Sequence, residues 1–186
     1  MSETVRDGAA SQPSRRSRER PGESPLLKDV LLLLGKIVAV AAAFLLVFLF
    51  LFGLCRNADA SMDPAIRDGD LILYYRLDKT YAAGDTLLLE YEGQRQVRRV
   101  IATAGDVVDI TEDGLLVNGA LQQEPDIYEQ TQRWADGADF PLTVGESQVF
   151  VLGDARENAV DSRVYGAVEI KDTLGKVIAV LRRRNI

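Results

Sequence analysis

The sequence predicts a mostly β extracytoplasmic domain anchored by one N-terminal transmembrane helix. Three observations predict it. A single long apolar run lies near the N-terminus; beyond it, short runs of Val, Ile, Leu and Tyr are separated by Gly-Asp and Asn-Gly pairs; and no sustained helical period follows. The 186 residues leave room for one domain of about 130 residues behind the run, within the usual range.

Taken in order, residues 1–28 are rich in Ser, Arg, Glu, Pro and Gly and cannot bury enough apolar surface to offset ordering entropy, so they read as a disordered cytoplasmic tail. Residues 29–55 read as the transmembrane helix, longer than the ~20 residues a hydrocarbon core requires. Lys36 is the only charge within the run from Val30 to Cys55, and near its N-terminal end the ammonium can extend to the interface. Arg15, Arg16, Arg18, Arg20 and Lys28 precede the span, whereas only Arg56 and Arg67 follow closely. The positive-inside bias therefore puts the N-terminus in the cytoplasm of a single-pass membrane protein, with residues 56–186 outside. Ala58-Asp59-Ala60 resembles a signal-peptide cleavage site, but the apolar run exceeds the roughly 7–15 residues of a signal-peptide core, which favours a retained anchor.

In the outer domain, strands are expected near Leu71–Arg76, Thr86–Tyr91, Gln94–Ala102, Val107–Thr111, Leu115–Val117, Gln148–Leu152 and Lys176–Leu181. Glu112-Asp113-Gly114 and Asn118-Gly119 supply turns between them. The polar stretch from Gln122 to Gly145 reads as a long excursion from the sheet. Gly-Asp pairs at 69–70, 84–85, 105–106 and 153–154 read as turns, with Gly supplying backbone freedom and Asp capping.

Composition narrows the chemistry. One cysteine, Cys55, and no histidine exclude an intrachain disulfide and a Cys/His zinc site, so no cofactor or metal is expected. The net charge of −6, without a basic patch after the apolar run, argues against nucleic acid as a partner. Arg182-Arg183-Arg184 reads as a solvated tail. Oligomeric state leaves no trace. Ser61-Met62-Asp63-Pro64 follows the apolar run directly and would sit just outside a membrane. Without an imidazole a Ser-His-Asp triad is impossible, and a nucleophilic serine would need a lysine or another unusual base.

Four segments then line up with a family. Ser61-Met62-Asp63-Pro64-Ala65-Ile66-Arg67-Asp68-Gly69-Asp70 resembles the nucleophile segment Ser-Met-x-Pro-Thr-Leu-x-x-Gly-Asp of the type I signal peptidases. Tyr81–Asp85, Arg98–Asp106 and Gly153–Arg163 are similar to three further segments of that family, in the same order. The resemblance implies a serine endopeptidase that removes signal peptides from secretory preproteins after small-x-small sites, acting at a lipid bilayer. It implies Ser61 as nucleophile, with its own N–H contributing to an oxyanion hole, and Met62 beside the substrate and the membrane surface. It also implies an Asp161–Arg163 ion pair supporting the catalytic strand, with Arg99 joining that network.

The same alignment places Arg98 at the lysine that serves the family as general base. A guanidinium stays protonated and offers no acceptor, although it can hold a carboxylate or stabilise an oxyanion. Ala159 stands where the family has a serine beside that lysine, Ala155 where it has Asn, and Ala104 where it has Pro. Lys79, Lys171 and Lys176 are the other lysines of the outer domain; the first two read as solvated and Lys176 as a remote substitute base. These departures define a second reading, a catalytically impaired signal peptidase homologue that binds extended polypeptides as a surface-protein or pilus assembly factor.

Overall fold

The structure, a computed structural model, describes residues 25–182. Of the tail expected over residues 1–28, residues 1–24 with their arginines lie outside the described residues, as do Arg183 and Arg184, while residues 25–28 are helical. The chain divides into two compact units at Phe44/Leu45, the first holding most of helix α1 and the second holding every strand. Helix α1 runs Pro25–Leu51 and is long and apolar enough to cross a membrane. Proline at its first position costs nothing, because that N–H would be unpaired in any helix.

The helix thus starts four residues before the expected boundary of 29 and stops four before 55. Phe52–Arg56 instead forms strand β1, paired antiparallel with β2, Leu71–Tyr75. The apolar run suits either state, so periodicity alone could not divide it. Gly53 marks the division: a Cβ there would lie 2.1 Å from the Tyr74 ring on the partner strand. A larger residue there would have to displace that ring for β1 to reach β2.

Strands β3 (Thr86–Tyr91), β4 (Gln94–Ala102), β5 (Val107–Thr111) and β9 (Gln148–Leu152) occupy the expected bounds. Two strands begin earlier than expected, β6 (Gly114–Val117) by one residue and β11 (Thr173–Leu181) by three. Three two-residue strands carried no readable pattern: β7 (Ala120–Leu121), β8 (Leu142–Thr143) and β10 (Val168–Glu169). A short helix α2, Ser162–Tyr165, follows β9. Two antiparallel sheets result, one of seven strands in the order β1-β2-β11-β3-β4-β9-β10 and one of four in the order β7-β6-β5-β8. Asn118-Gly119, both at positive φ, make the expected turn, and it leads from β6 into the unexpected β7. The excursion expected over residues 122–145 spans 122–141, because Leu142–Thr143 pairs with β5 as strand β8.

The seven-stranded sheet is buried on both faces at its centre. Leu87, Leu88 and Leu89 of β3 are all buried, Leu88 packing with Met62, Ile66, Ile72, Tyr74 and Val97, and its neighbours with Val100, Val149 and Val151. A third cluster, including Val108, Ile110, Leu115 and Phe150, joins the two sheets.

Three of the four Gly-Asp pairs are the same turn. In each, the glycine has φ between +87 and +91, and the aspartate carboxylate accepts the N–H three residues before it: Asp70 from Arg67 at 3.0 Å, Asp85 from Ala82 at 2.9 Å, Asp106 from Thr103 at 2.8 Å. The pair at Gly153-Asp154 does something else, described below. Arg182 is not simply solvated either, since it donates to the Ala65 carbonyl at 2.9 Å.

β11 crosses β2 and β3 through an irregularity at Gly175, where φ is +146 and a Cβ would lie 2.1 Å from the Tyr75 carbonyl oxygen. Gly175→Ala combines backbone strain with a clash against main chain, and should cost on the order of 3 kcal/mol. Urea unfolding of the detergent-solubilised protein, compared with wild type, checks this.

Candidate active site

Ser61 lies in the 57–70 connection between β1 and β2. Asn57 closes the base of that connection: its N–H donates to the Asp70 carbonyl at 2.8 Å, its carbonyl accepts from Gly69 at 3.0 Å, and its side-chain amide reaches the Asp59 and Arg67 carbonyls. Met62 and Ile66 then pin the connection into the core. Met62 is fully buried, which corrects the expectation that it meets substrate and membrane; its apolar side chain anchors Ser61 instead of lining a surface. Within this frame Ser61 is 6% exposed. Its carbonyl accepts the Ala155 N–H at 3.0 Å, and its own N–H donates to Asp59 Oδ1 at 3.2 Å. Among the described residues, no group hydrogen-bonds its hydroxyl.

The partner of this segment is the loop from Gly153 to Asp161, between β9 and α2. At its end, Asp161 and Arg163 form the expected pair, fully buried and two-pronged, with Nε on Oδ1 and Nη2 on Oδ2, each at 2.9 Å. Asp161 also caps α2 through the Arg163 N–H and accepts the Gly153 N–H at 3.0 Å. Gly153 is packed so tightly that a Cβ would lie 2.3 Å from Ala159 Cβ and 2.6 Å from the Ser61 carbonyl oxygen.

Arg99 does not join the Asp161–Arg163 pair. It grips Asp154 instead, Nε on Oδ1 at 2.8 Å and Nη2 on Oδ2 at 2.6 Å, and that bond holds its pKa above the ordinary arginine value. The fourth Gly-Asp pair is therefore an anchor for an arginine, not a turn. One further residue that the sequence did not single out, Arg156, completes the frame. Arg156 binds Glu124 with both Nη atoms and the Gly153 carbonyl with Nε, and also meets Thr131, which ties the 122–141 excursion to the loop. Its only sequence signal was its place in the fourth motif.

Arg98 lies on β4 opposite Leu87 and is 1% exposed. Nε and Nη2 both donate to the Val160 carbonyl, at 3.1 and 2.8 Å, and Nη1 donates to the Val97 carbonyl at 2.6 Å. Among the described residues its one charge partner is Asp59, 3.4 Å from Nη1 to Oδ2. Asp59 thus touches both Arg98 and Ser61, and in the sequence it drew notice only as part of Ala58-Asp59-Ala60. Two of the three lysines are engaged elsewhere: Lys176 pairs with Asp85 at 2.5 Å, and Lys79, expected to be solvated, donates to the Lys171 and Thr173 carbonyls. A surface cleft of about 660 Å³ opens two residues after Ser61, bounded by Asp63, Pro64, Arg67, Tyr128, Asp154 and Ala155.

Tyr165 of α2 stands beside the Arg98 guanidinium, its buried hydroxyl outside hydrogen-bond geometry. Burial, aided by Asp161 and Tyr91 and opposed by Arg98, holds its pKa above the ordinary tyrosine value.

Two outcomes follow from this geometry. Arg163→Ala would strand a buried carboxylate and should cost about 3–5 kcal/mol in denaturant unfolding. Tyr165 stays neutral in the fold, whereas an unfolded tyrosine ionises near pH ~10, so stability falls as pH rises past that value. Tyr165→Phe should be near neutral at pH 7 and should flatten the alkaline limb, as read from melting temperatures across pH 8–11.

Comparison with known proteins agrees with the motifs. The family model for "Signal peptidase, peptidase S26" matches residues 29–182. Signal peptidase I of Bacillus licheniformis is 33% identical over 138 residues, spanning 68% of this chain and 74% of that protein. Signal peptidase IB of Staphylococcus aureus is 30% identical over 166 residues, spanning 78% and 87%. A crystal structure of a signal peptidase I from Enterococcus faecalis V583 matches with a TM-score of 0.44 at 28% identity, covering 54% of this chain and 97% of that chain. With the match running from within α1 to the end of β11, this chain belongs to the signal peptidase family, peptidase S26.

Proposed function

We propose that this signal peptidase cuts exported preproteins after small-x-small sites with Ser61 as its nucleophile. The observation that carries the assignment is the mounting of Ser61: its peptide is held on both sides while its hydroxyl has no hydrogen-bond partner among the described residues. In this reading Ser61 Oγ attacks the scissile carbonyl with its proton passing to water, the C–N bond breaks and the amine leaves carrying a proton from water, while Asp161, Arg163, Arg99 and Arg156 hold the 153–161 loop against the serine. Arg98 is a fixed cation of the site, since a guanidinium cannot take the serine proton. Helix α1 anchors the chain in a bilayer, with the N-terminus cytoplasmic and the second unit outside; the arginines before the span support that direction.

One observation favours the second reading, binding of an extended polypeptide without turnover. The residue that touches Asp59 and lies at the lysine position is a permanent donor, and Ala159 beside Gly153 offers no hydroxyl. A single experiment separates the two. Detergent-solubilised full-length protein is incubated with a preprotein bearing an Ala-x-Ala site, and products are identified by mass spectrometry. Wild type is expected to cut after the site and Ser61→Ala to fall to background. Absence of cutting by wild type, with cutting restored in Arg98→Lys, would mean that the scaffold is intact and catalysis is lost at one position, and would overturn the peptidase reading in favour of the binding one.

A further inference from the structure

We propose that Asp59 occupies the oxyanion position of Ser61 in the resting protein, so that a polypeptide must displace this carboxylate before the serine can react. The inference rests on the assignment of Ser61 as nucleophile. In serine hydrolases the nucleophile's own N–H is commonly one of the donors that receive the developing oxyanion. Here that N–H is already spent on Asp59 Oδ1, at 3.2 Å. One N–H cannot serve an internal carboxylate and an incoming carbonyl at once, and a carboxylate in place opposes negative charge developing beside it.

The two ends of the contact differ in mobility of attachment. Arg98 is buried and fixed by three bonds to the Val160 and Val97 carbonyls, so it stays where it is. The Asp59 side chain is 34% exposed and meets Arg98 through a single 3.4 Å contact. Asp59 is therefore the part that swings out. When it leaves, the Arg98 charge loses its carboxylate and an oxyanion at Ser61 can replace it. A guanidinium that is useless as a base thereby acquires a function, first as the tether of the plug and then as counter-charge to the reaction.

The test uses the full-length detergent-solubilised protein and p-nitrophenyl acetate, which needs an oxyanion hole but no peptide groove. Ser61 Oγ takes the acetyl group, p-nitrophenolate leaves and the serine proton passes to water; tandem mass spectrometry locates the acetyl on Ser61, with Ser61→Ala as blank. Asp59→Ala is expected to speed Ser61 acetylation by about tenfold or more. Asp59→Asn, which keeps an acceptor oxygen without the charge, is expected to fall between it and wild type. If Asp59 is merely a turn cap, Asp59→Ala slows acetylation and Asp59→Asn restores it, which overturns the proposal. Slowing in both variants also overturns it and makes Asp59 the group that takes the serine proton; no acetylation in any protein does the same. Preprotein cleavage measured in parallel keeps the two readings apart: faster acetylation without cleavage removes the peptidase reading and leaves the plug standing.

Discussion

Asp161 is a charged side chain with no exposed surface, and a carboxylate in that position is tolerable only if every lone pair is met. It is met by Arg163 on both oxygens, by the Arg163 N–H and by the Gly153 N–H. Arg163 in turn spends Nη2 on the Arg156 and Ala159 carbonyls. The pair therefore fixes both ends of the 153–163 segment at once. From Gly153 the constraint reaches Ser61 through contact, because the Gly153 peptide lies against the Ser61 carbonyl, and through the Ala155 N–H that grips that carbonyl. Such a pair is worth little relative to an apolar core of equal volume, but losing one partner is expensive, which makes it a device for fixing geometry.

The same segment explains why so many arginines are buried here. Most of it lacks regular structure, so its carbonyls have no ladder to join and each needs a donor from elsewhere. Arginine supplies several donors from one planar head. Arg98 serves the Val160 carbonyl, Arg156 serves Gly153, Arg163 serves Arg156 and Ala159, and Arg99 holds the Asp154 carboxylate. Four arginines thus substitute for secondary structure around one loop, and that loop is what faces Ser61.

The parts of the fold readable in the sequence are those decided locally. β3, β4, β5 and β9 announce themselves by apolar and β-branched runs bounded by turn residues, and the three Gly-Asp turns by a glycine at positive φ beside a capping carboxylate. β7, β8 and β10 are two-residue pairings made by tertiary contact and have no period to detect. β1 was hidden inside an apolar run whose division depends on Tyr74, distant in sequence. The Asp161–Arg163 pair was legible through the motif, as was the position of Ser61. The burial of Met62, the transfer of Arg99 to Asp154 and the contacts of Asp59 with Ser61 and Arg98 were not, since each follows from which side of a connection faces the core.

Arg98 and Asp59 are best understood as one arrangement. A lysine at the site can be neutral when buried, and so needs no partner. An arginine cannot discharge, so its burial on β4 brings a permanent cation into the interior, and three carbonyl contacts satisfy its donors without neutralising it. Neutralisation requires a carboxylate within reach of Nη1, and Asp59 is the one the structure supplies. The residue that balances Arg98 is thereby drawn onto the Ser61 N–H as well, because both groups lie within the span of one carboxylate. A fixed cation buried at this point of β4 is thus accompanied by an anion that also rests against the Ser61 peptide.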